Sequence, residues 1–133
     1  MLALGCASAP AQPFLVRVPA AYGYCAGGMV ADGLAITAAH CIGSERDPDL
    51  ALVPASGQPL DTRYPRDGES VTVYTLRGPV ESWIISSELG RAILPWTAQP
   101  GDSGSPVVGL DGRIVCTITA YDTRGGSVCQ WYY

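Results

Sequence analysis

Two short stretches hold the residue types from which an acyl-transfer site is built. Residues 101–106 read GDSGSP, a turn able to gather one serine hydroxyl and two backbone N–H groups around a single point. Residues 37–41 read TAAHC and supply His40, the single histidine of the chain. A serine that attacks a carbonyl and an imidazole that takes its proton are the two halves of nucleophilic catalysis. Ser103 is the candidate nucleophile and His40 the candidate base. Read alone, a histidine before a cysteine is an ordinary core or surface residue; the company of the serine turn is what raises it. One histidine is a poor basis for a zinc site, because a Cys/His set would draw on cysteines that are better placed to pair with each other. No metal and no organic cofactor is expected.

The elements that must position these groups read as strands. At 133 residues the chain suffices for one compact unit burying about two-thirds of its extended surface. Hydrophobic residues at 47% against 15% charged exclude a disordered chain. A net charge of -4 without a Lys/Arg cluster speaks against nucleic acid as a partner, and no run of 18 apolar residues forms a transmembrane segment. Residues 1–13, MLALGCASAPAQP, are expected to be a flexible arm or signal remnant. The N-terminal β lobe is then 14–64 and the C-terminal barrel 65–133.

Strands are predicted at 14–18, 22–30, 34–38, 50–53, 71–76, 80–86, 93–96, 107–109, 113–119 and 127–132, with turn signals ADG at 31–33, RGP at 77–79 and LDG at 110–112. No segment sustains a helical period, and many short strands separated by Gly, Pro and Asp turns indicate an all-β, antiparallel, barrel-like fold. Of five cysteines, Cys6 is the odd one. Cys25 and Cys41 bracket a two-strand excursion, and Cys116 and Cys129 flank an expected hairpin, so each pair is either a disulfide or two buried thiols. Bridging would imply an extracellular or otherwise oxidising compartment. Trp83, Trp96 and Trp131 read as barrel core or edge cover. Arg63, Arg66 and Asp67, around Pro65, read as a solvated connection.

GYCAGGMVADGLAITAAHC at 23–41 and GDSGSPVVGLDGRIVCTITA at 101–120 resemble the two signature blocks of the chymotrypsin-like serine endopeptidases. GESVTVYTLRGPVESWIISS at 68–87 is similar to the opening strands of the second barrel in their compact bacterial and viral branches. The resemblance covers most of the chain after about residue 14 and is compatible with a viral origin. It implies a double β-barrel in which His40 is the general base, Ser103 the nucleophile, and Gly101 and Ser103 the oxyanion-hole donors. It also implies that Cys41 pairs with Cys25 and that Asp102 braces the active-site turn. Asp49, which opens the run DLALV at 49–53, is the implied triad acid; Asp47 is its main competitor, with Asp61 and Asp67 weaker.

One departure stands out. Eight residues separate His40 from Asp49, where family members insert at least a strand pair. The N-terminal barrel is therefore expected to be shortened and open, with an edge to be covered by 14–18, by 131–133 or by self-association. The resemblance also implies a peptide or protein substrate, with Thr97 near the base of the primary pocket and Thr119, Ala120 and Tyr121 forming the edge that pairs with substrate backbone. That floor has no acid, so small or medium uncharged side chains are expected unless Asp122, Arg124 or Gln130 intrudes. Two functional classes follow: an active serine endopeptidase, or a protease-like binding or structural protein with an incomplete cleft.

Overall fold

The computed structural model describes residues 12–21, 23–122 and 125–133, and among these eleven strands and one 3₁₀ turn are formed. The first eleven residues of the expected arm, Cys6 among them, lie outside the described residues, as do Tyr22, Arg124 and the side chain of Asp122. A four-stranded sheet is formed by β1 (Leu15–Ala20), β2 (Gly23–Ala31), β3 (Leu34–Ala38) and β4 (Leu50–Pro54), in that order. The remaining strands are β5 (Ser70–Thr75), β6 (Gly78–Trp83), β7 (Ser86–Glu88), β8 (Arg91–Leu94), β9 (Pro106–Gly109), β10 (Ile114–Asp122) and β11 (Gly126–Gln130). They form a second sheet in the order β6-β5-β9-β10-β11-β8-β7. Its two outermost strands, β6 and β7, are joined only by Ile84 and Ile85, which obliges the sheet to curl into an open half-barrel. The all-β, double-barrel architecture with an abbreviated, open N-terminal part is thus observed.

Alternation explains the second sheet. Along β5, Val71, Val73 and Thr75 point inward, and along β8 Ala92 and Leu94 do so, as a strand with one buried face requires. These side chains meet Ile84, Val107, Val115, Ile118 and the Cys116–Cys129 bridge in the main core, with Trp96 and Trp131 packed against it. Trp83 behaves differently, standing 52% exposed on the outer strand β6. Between the sheets lies a smaller core of Phe14, Met29, Ala35, Val108 and Ile114, where Phe14 meets Tyr74 edge-on at 4.9 Å. Gly28 permits this approach, since a Cβ there would come within 2.8 Å of Pro106 Cβ.

Several boundaries differ from the sequence reading. The strand expected at 80–86 divides into β6 and β7. The RGP signal marks a turn at Leu76 and Arg77 alone, so that Gly78 and Pro79 already pair with β5. β1 runs on through Pro19, which is tolerated because β1 is an edge strand. The opposite edge, β4, likewise ends in Pro54, so both borders of the open sheet are blunted by proline.

The connection near Pro65 is not a solvated linker. Arg63 has a side chain only 12% exposed and clamps Glu69 (2.7 Å) and Asp111 (2.8 Å). Hydrogen bonding to these two carboxylates holds the Arg63 guanidinium further into its charged range. The hydrogen bond from Arg63 pulls Asp111 down to about 2. Burial pushes Glu69 upward, but hydrogen bonds from Arg63 and the Arg66 N–H outweigh it and leave the carboxyl below its ordinary value. No helix among the described residues is long and apolar enough to cross a membrane.

Candidate active site

His40 occupies the 3₁₀ turn Ala39–Ile42 directly after β3, and Asp49 directly precedes β4. β3 and β4 pair antiparallel with Ala38 opposite Leu50, so the residues just beyond that pair meet by construction. The Ala39 N–H donates to the Asp49 carbonyl (3.1 Å) and the His40 N–H to Asp49 Oδ1 (2.8 Å). The other carboxylate oxygen, Oδ2, lies 2.5 Å from His40 Nδ1. One carboxylate therefore holds both the backbone and the ring of the histidine. Asp47, the main competitor, instead pairs with Arg91 at the surface (3.1 Å).

Ser103 arrives from the second sheet, with Oγ 3.1 Å from His40 Nε2. Two contacts seat its turn on the first sheet and on β10, and a third braces β2 beneath it. The Ala26 N–H of β2 donates to the Ser103 carbonyl (2.9 Å), and the Gly104 N–H donates to Ile118 (2.7 Å). Thr37 Oγ donates to the Ala26 carbonyl (2.8 Å). Gly104 has φ +88°, and a Cβ there would overlap the Ala26 carbonyl oxygen and crowd Thr37 Oγ. Glycine thus satisfies both the left-handed backbone and the close approach. Among the described residues, neither Gly101 N–H nor Ser103 N–H donates to another protein group.

Asp102 is buried beneath the turn. Its carboxylate accepts from the Gln99 N–H (2.7 Å) and, through both oxygens, from Arg77 Nη2 (2.8 and 2.6 Å). The hydrogen bond to Asp102 holds the Arg77 guanidinium in its charged form more firmly. Arg77 is aimed by its own turn, in which Thr75 Oγ accepts from the Arg77 N–H (3.1 Å) and donates to the Gly78 carbonyl (2.7 Å). This partner for Asp102 was invisible in the sequence, where Arg77 read only as part of a turn.

Gln130 was the second residue missed in its role. It does not stand in a pocket as an exposed intruder; it is buried, and its Oε1 accepts from Thr119 Oγ (2.8 Å) and from the Asp49 N–H (3.3 Å). It thereby ties β10 and β11 to the acid of the other sheet. Thr119 is buried, whereas Ala120 and Tyr121 are exposed, next to a bulge in the β10–β11 register. β10 pairs with β9 only through Thr117, so among the described residues positions 119–121 have β11 alone as a strand neighbour. Thr97 is exposed, while its flanking backbone is fastened by Ser127 Oγ, which donates to the Trp96 carbonyl (2.5 Å) and accepts from the Ala98 N–H (2.8 Å).

Both candidate cysteine pairs are bridged, as suits an oxidising environment. Cys25–Cys41 joins β2 to the histidine turn with Cα atoms 6.2 Å apart. No group of three or more His, Cys, Asp or Glu able to hold a metal occurs among the described residues.

No family model and no curated protein matches the chain. Solved structures do match its fold. The serine protease of a human pathogenic astrovirus superposes with a TM-score of 0.71 at 17% identity, covering 91% of this chain and 90% of that one. An inactivated protease paralogue of the scabies mite gives 0.70 at 15% identity, with 89% of each chain covered. The NSP4 proteinase of Equine Arteritis Virus gives 0.65 at 20% identity, over 89% of this chain and 72% of that one. At identities of 20% or less the likeness is one of fold alone, a chymotrypsin-like double barrel whose N-terminal part is abbreviated and open.

Proposed function

We propose that this protein is a serine endopeptidase that hydrolyses peptide bonds through an acyl-enzyme. The observation that carries the reading is the unbroken line from Asp49 through His40 to Ser103, with separations of 2.5 and 3.1 Å. In this reading residues 14–64 supply base and acid, and 65–133 the nucleophile. His40 Nε2 takes the Ser103 hydroxyl proton as Oγ attacks the carbonyl carbon. Asp49 accepts a hydrogen bond from Nδ1–H, fixing the tautomer that leaves Nε2 free and stabilising the imidazolium as it forms. The Gly101 and Ser103 N–H groups receive the oxyanion, each such donor contributing about 3 kcal/mol to the transition state. The imidazolium then protonates the departing amine, and water, activated by the same base, releases the acyl group.

The half-paired segment at Thr119, Ala120 and Tyr121 suits strand addition by an extended substrate backbone, with Thr97 at the base of the pocket beside it. The two bridges support an extracellular or other oxidising workplace, and the likeness to two viral proteases is compatible with a viral source.

Treatment with a fluorophosphonate followed by peptide mass spectrometry tests the reading. A single adduct on Ser103, abolished in Ser103→Ala and in His40→Ala, is expected. Absence of labelling in a folded sample would instead assign the chain to a non-catalytic binding or structural role.

A further inference from the structure

We propose that the groove between the β7–β8 hairpin and the border of β4 is the surface on which a second copy of this chain docks, related to the first by a two-fold axis. The pairing does not depend on the endopeptidase reading, because the groove is lined by none of His40, Ser103, Gly101, Thr119, Ala120 or Tyr121. Two hollows compose it. One, of about 860 Å³, runs from the hairpin to Asp47, Pro48 and Tyr132; the other, of about 390 Å³, begins at the same three residues and reaches Arg46 and Leu52. The hairpin and the β4 border are thus opposite ends of one trough, with Asp47, Pro48 and Tyr132 at its middle.

Each end carries what the other lacks. At the hairpin, Leu89 and Gly90 form a two-residue turn in which both have positive φ, 53° and 78°. Such turns favour Asn, Asp or Gly, because a longer side chain crowds its own backbone in that conformation. Leu89 is nonetheless a leucine and is 92% exposed, so neither the turn nor the core of its own chain accounts for it. A strained residue that holds an apolar knob in solvent points to a contact outside the chain. At the other end, Leu52 (48% exposed) and Tyr132 (49%) line a hollow without filling it. Charge follows the same division. Glu88, beside the knob, forms no ion pair among the described residues, since Arg91 across the hairpin is taken by Asp47 (3.1 Å). The Arg46 guanidinium, beside the hollow, bonds among the described residues only the Ser44 hydroxyl (2.9 Å). A two-fold axis through the middle of the trough lays hairpin on β4 border twice, seating each Leu89 against Leu52 and Tyr132 of the other copy and each Glu88 against its Arg46. Pairing of this kind requires a patch that complements itself, and this one does so in both shape and charge.

Sedimentation equilibrium of the full chain measures the pairing. The mean mass is expected to rise from that of one chain toward twice that value between about 1 μM and 1 mM. Leu89→Gly relaxes the turn and removes the knob, so the folded variant should associate at least about tenfold more weakly, since two leucine side chains per pair are withdrawn from the contact. Glu88→Arg and Arg46→Glu each set like charges against one another at both contacts and should weaken association likewise. An equimolar mixture of these two variants restores opposite charges at both contacts and should recover a mixed pair as tight as the native one, which no folding defect would allow. A mean mass that stays at one chain up to about 1 mM would overturn the assignment and leave the groove to a foreign partner. Association unchanged in Leu89→Gly, or a mixture no tighter than its components, would overturn it as well.

Discussion

The two disulfides should be nearly equal in stability and unequal in chemistry. Cys25–Cys41 and Cys116–Cys129 close loops with sequence separations of 16 and 13. On the chain-entropy relation each loop of this size contributes about 3 kcal/mol, and the length difference amounts to only about 0.2 kcal/mol. Replacing either pair by alanine should therefore lower the melting temperature by roughly 10–15 °C for a chain of this size. The effect on Ser103 labelling should differ. Cys41 directly follows His40 in the 3₁₀ turn, and Cys25 directly precedes Ala26, whose N–H holds the Ser103 carbonyl. That bridge is a fixed link between His40 and Ser103, and in the proposed reaction a shift of about 1 Å in such a geometry costs up to about a hundredfold in rate. The second bridge lies wholly in the main core. Its neighbour Gln130 is held on both sides by β10 and β8 whether or not the sulfurs are joined. Fluorophosphonate labelling rates at a temperature where both variants are folded should fall at least about tenfold, or roughly 1.4 kcal/mol, for Cys25→Ala/Cys41→Ala. They should stay within about threefold for Cys116→Ala/Cys129→Ala. Equal losses of labelling, or the reverse order, would refute the idea that the first bridge positions the histidine; melts far apart would refute the loop-length estimate.

Gly104→Ala should destabilise by more than about 3 kcal/mol, as clashes at strained backbone sites do, with labelling abolished because the serine turn must leave β2; a urea titration checks it. Gln130→Leu should cost about 1–3 kcal/mol by leaving the buried Thr119 hydroxyl and the Asp49 N–H without their acceptor. It should slow labelling as well, whereas a neutral outcome in both readouts would mean that Asp49 needs no brace. The Arg63 cluster makes acid sensitivity specific. Folded-state values lie below the ordinary 4.5 of Glu69 and at about 2 against 3.8 for Asp111. Their stabilisation is thus complete above the ordinary values and is lost as pH falls toward about 2. Urea titrations between pH 5 and pH 2.5 should show a shallower loss in Arg63→Met than in the native chain; parallel slopes would contradict the ion-pair origin.

Local pattern was enough for the strands whose faces differ. The alternation of β5 is written in Val71, Val73 and Thr75, and the hairpin between β2 and β3 in Asp32 and Gly33. It failed where tertiary contact decides. The break between β6 and β7 has no Gly or Pro to announce it, because Ile84 is buried in the main core while Ile85 is half exposed. Arg63 sits among Arg66 and Asp67 in a stretch that looks like solvent-facing charge, and its partners Glu69 and Asp111 lie 6 and 48 residues away. Separations of 25 and 81 residues likewise hid Arg77 from Asp102 and Gln130 from Asp49. The meeting of His40, Ser103 and Asp49 was legible through the resemblance of the blocks that carry them, whereas an arginine or a glutamine is common enough that only its contacts reveal a role.

The short segment between His40 and Asp49 is the feature from which the sequence would most readily suggest a defective site. Its geometry argues otherwise. A carboxylate can reach a histidine through a long excursion that returns to the ring, or by starting the strand that pairs with the one the histidine follows. Here the second route operates: Ala38 opposes Leu50, so the residues immediately outside this pair must approach one another whatever the length of the loop between them. Eight intervening residues are enough, and the loop has only to turn. What is given up is the packing that extra first-barrel strands would lend to the acid. Gln130 supplies a hydrogen bond in that place from the opposite sheet, and the β3–β4 ladder supplies the rest. The abbreviated sheet thus keeps the contacts that orient the His40 imidazole on Asp49 without further strands between the two residues.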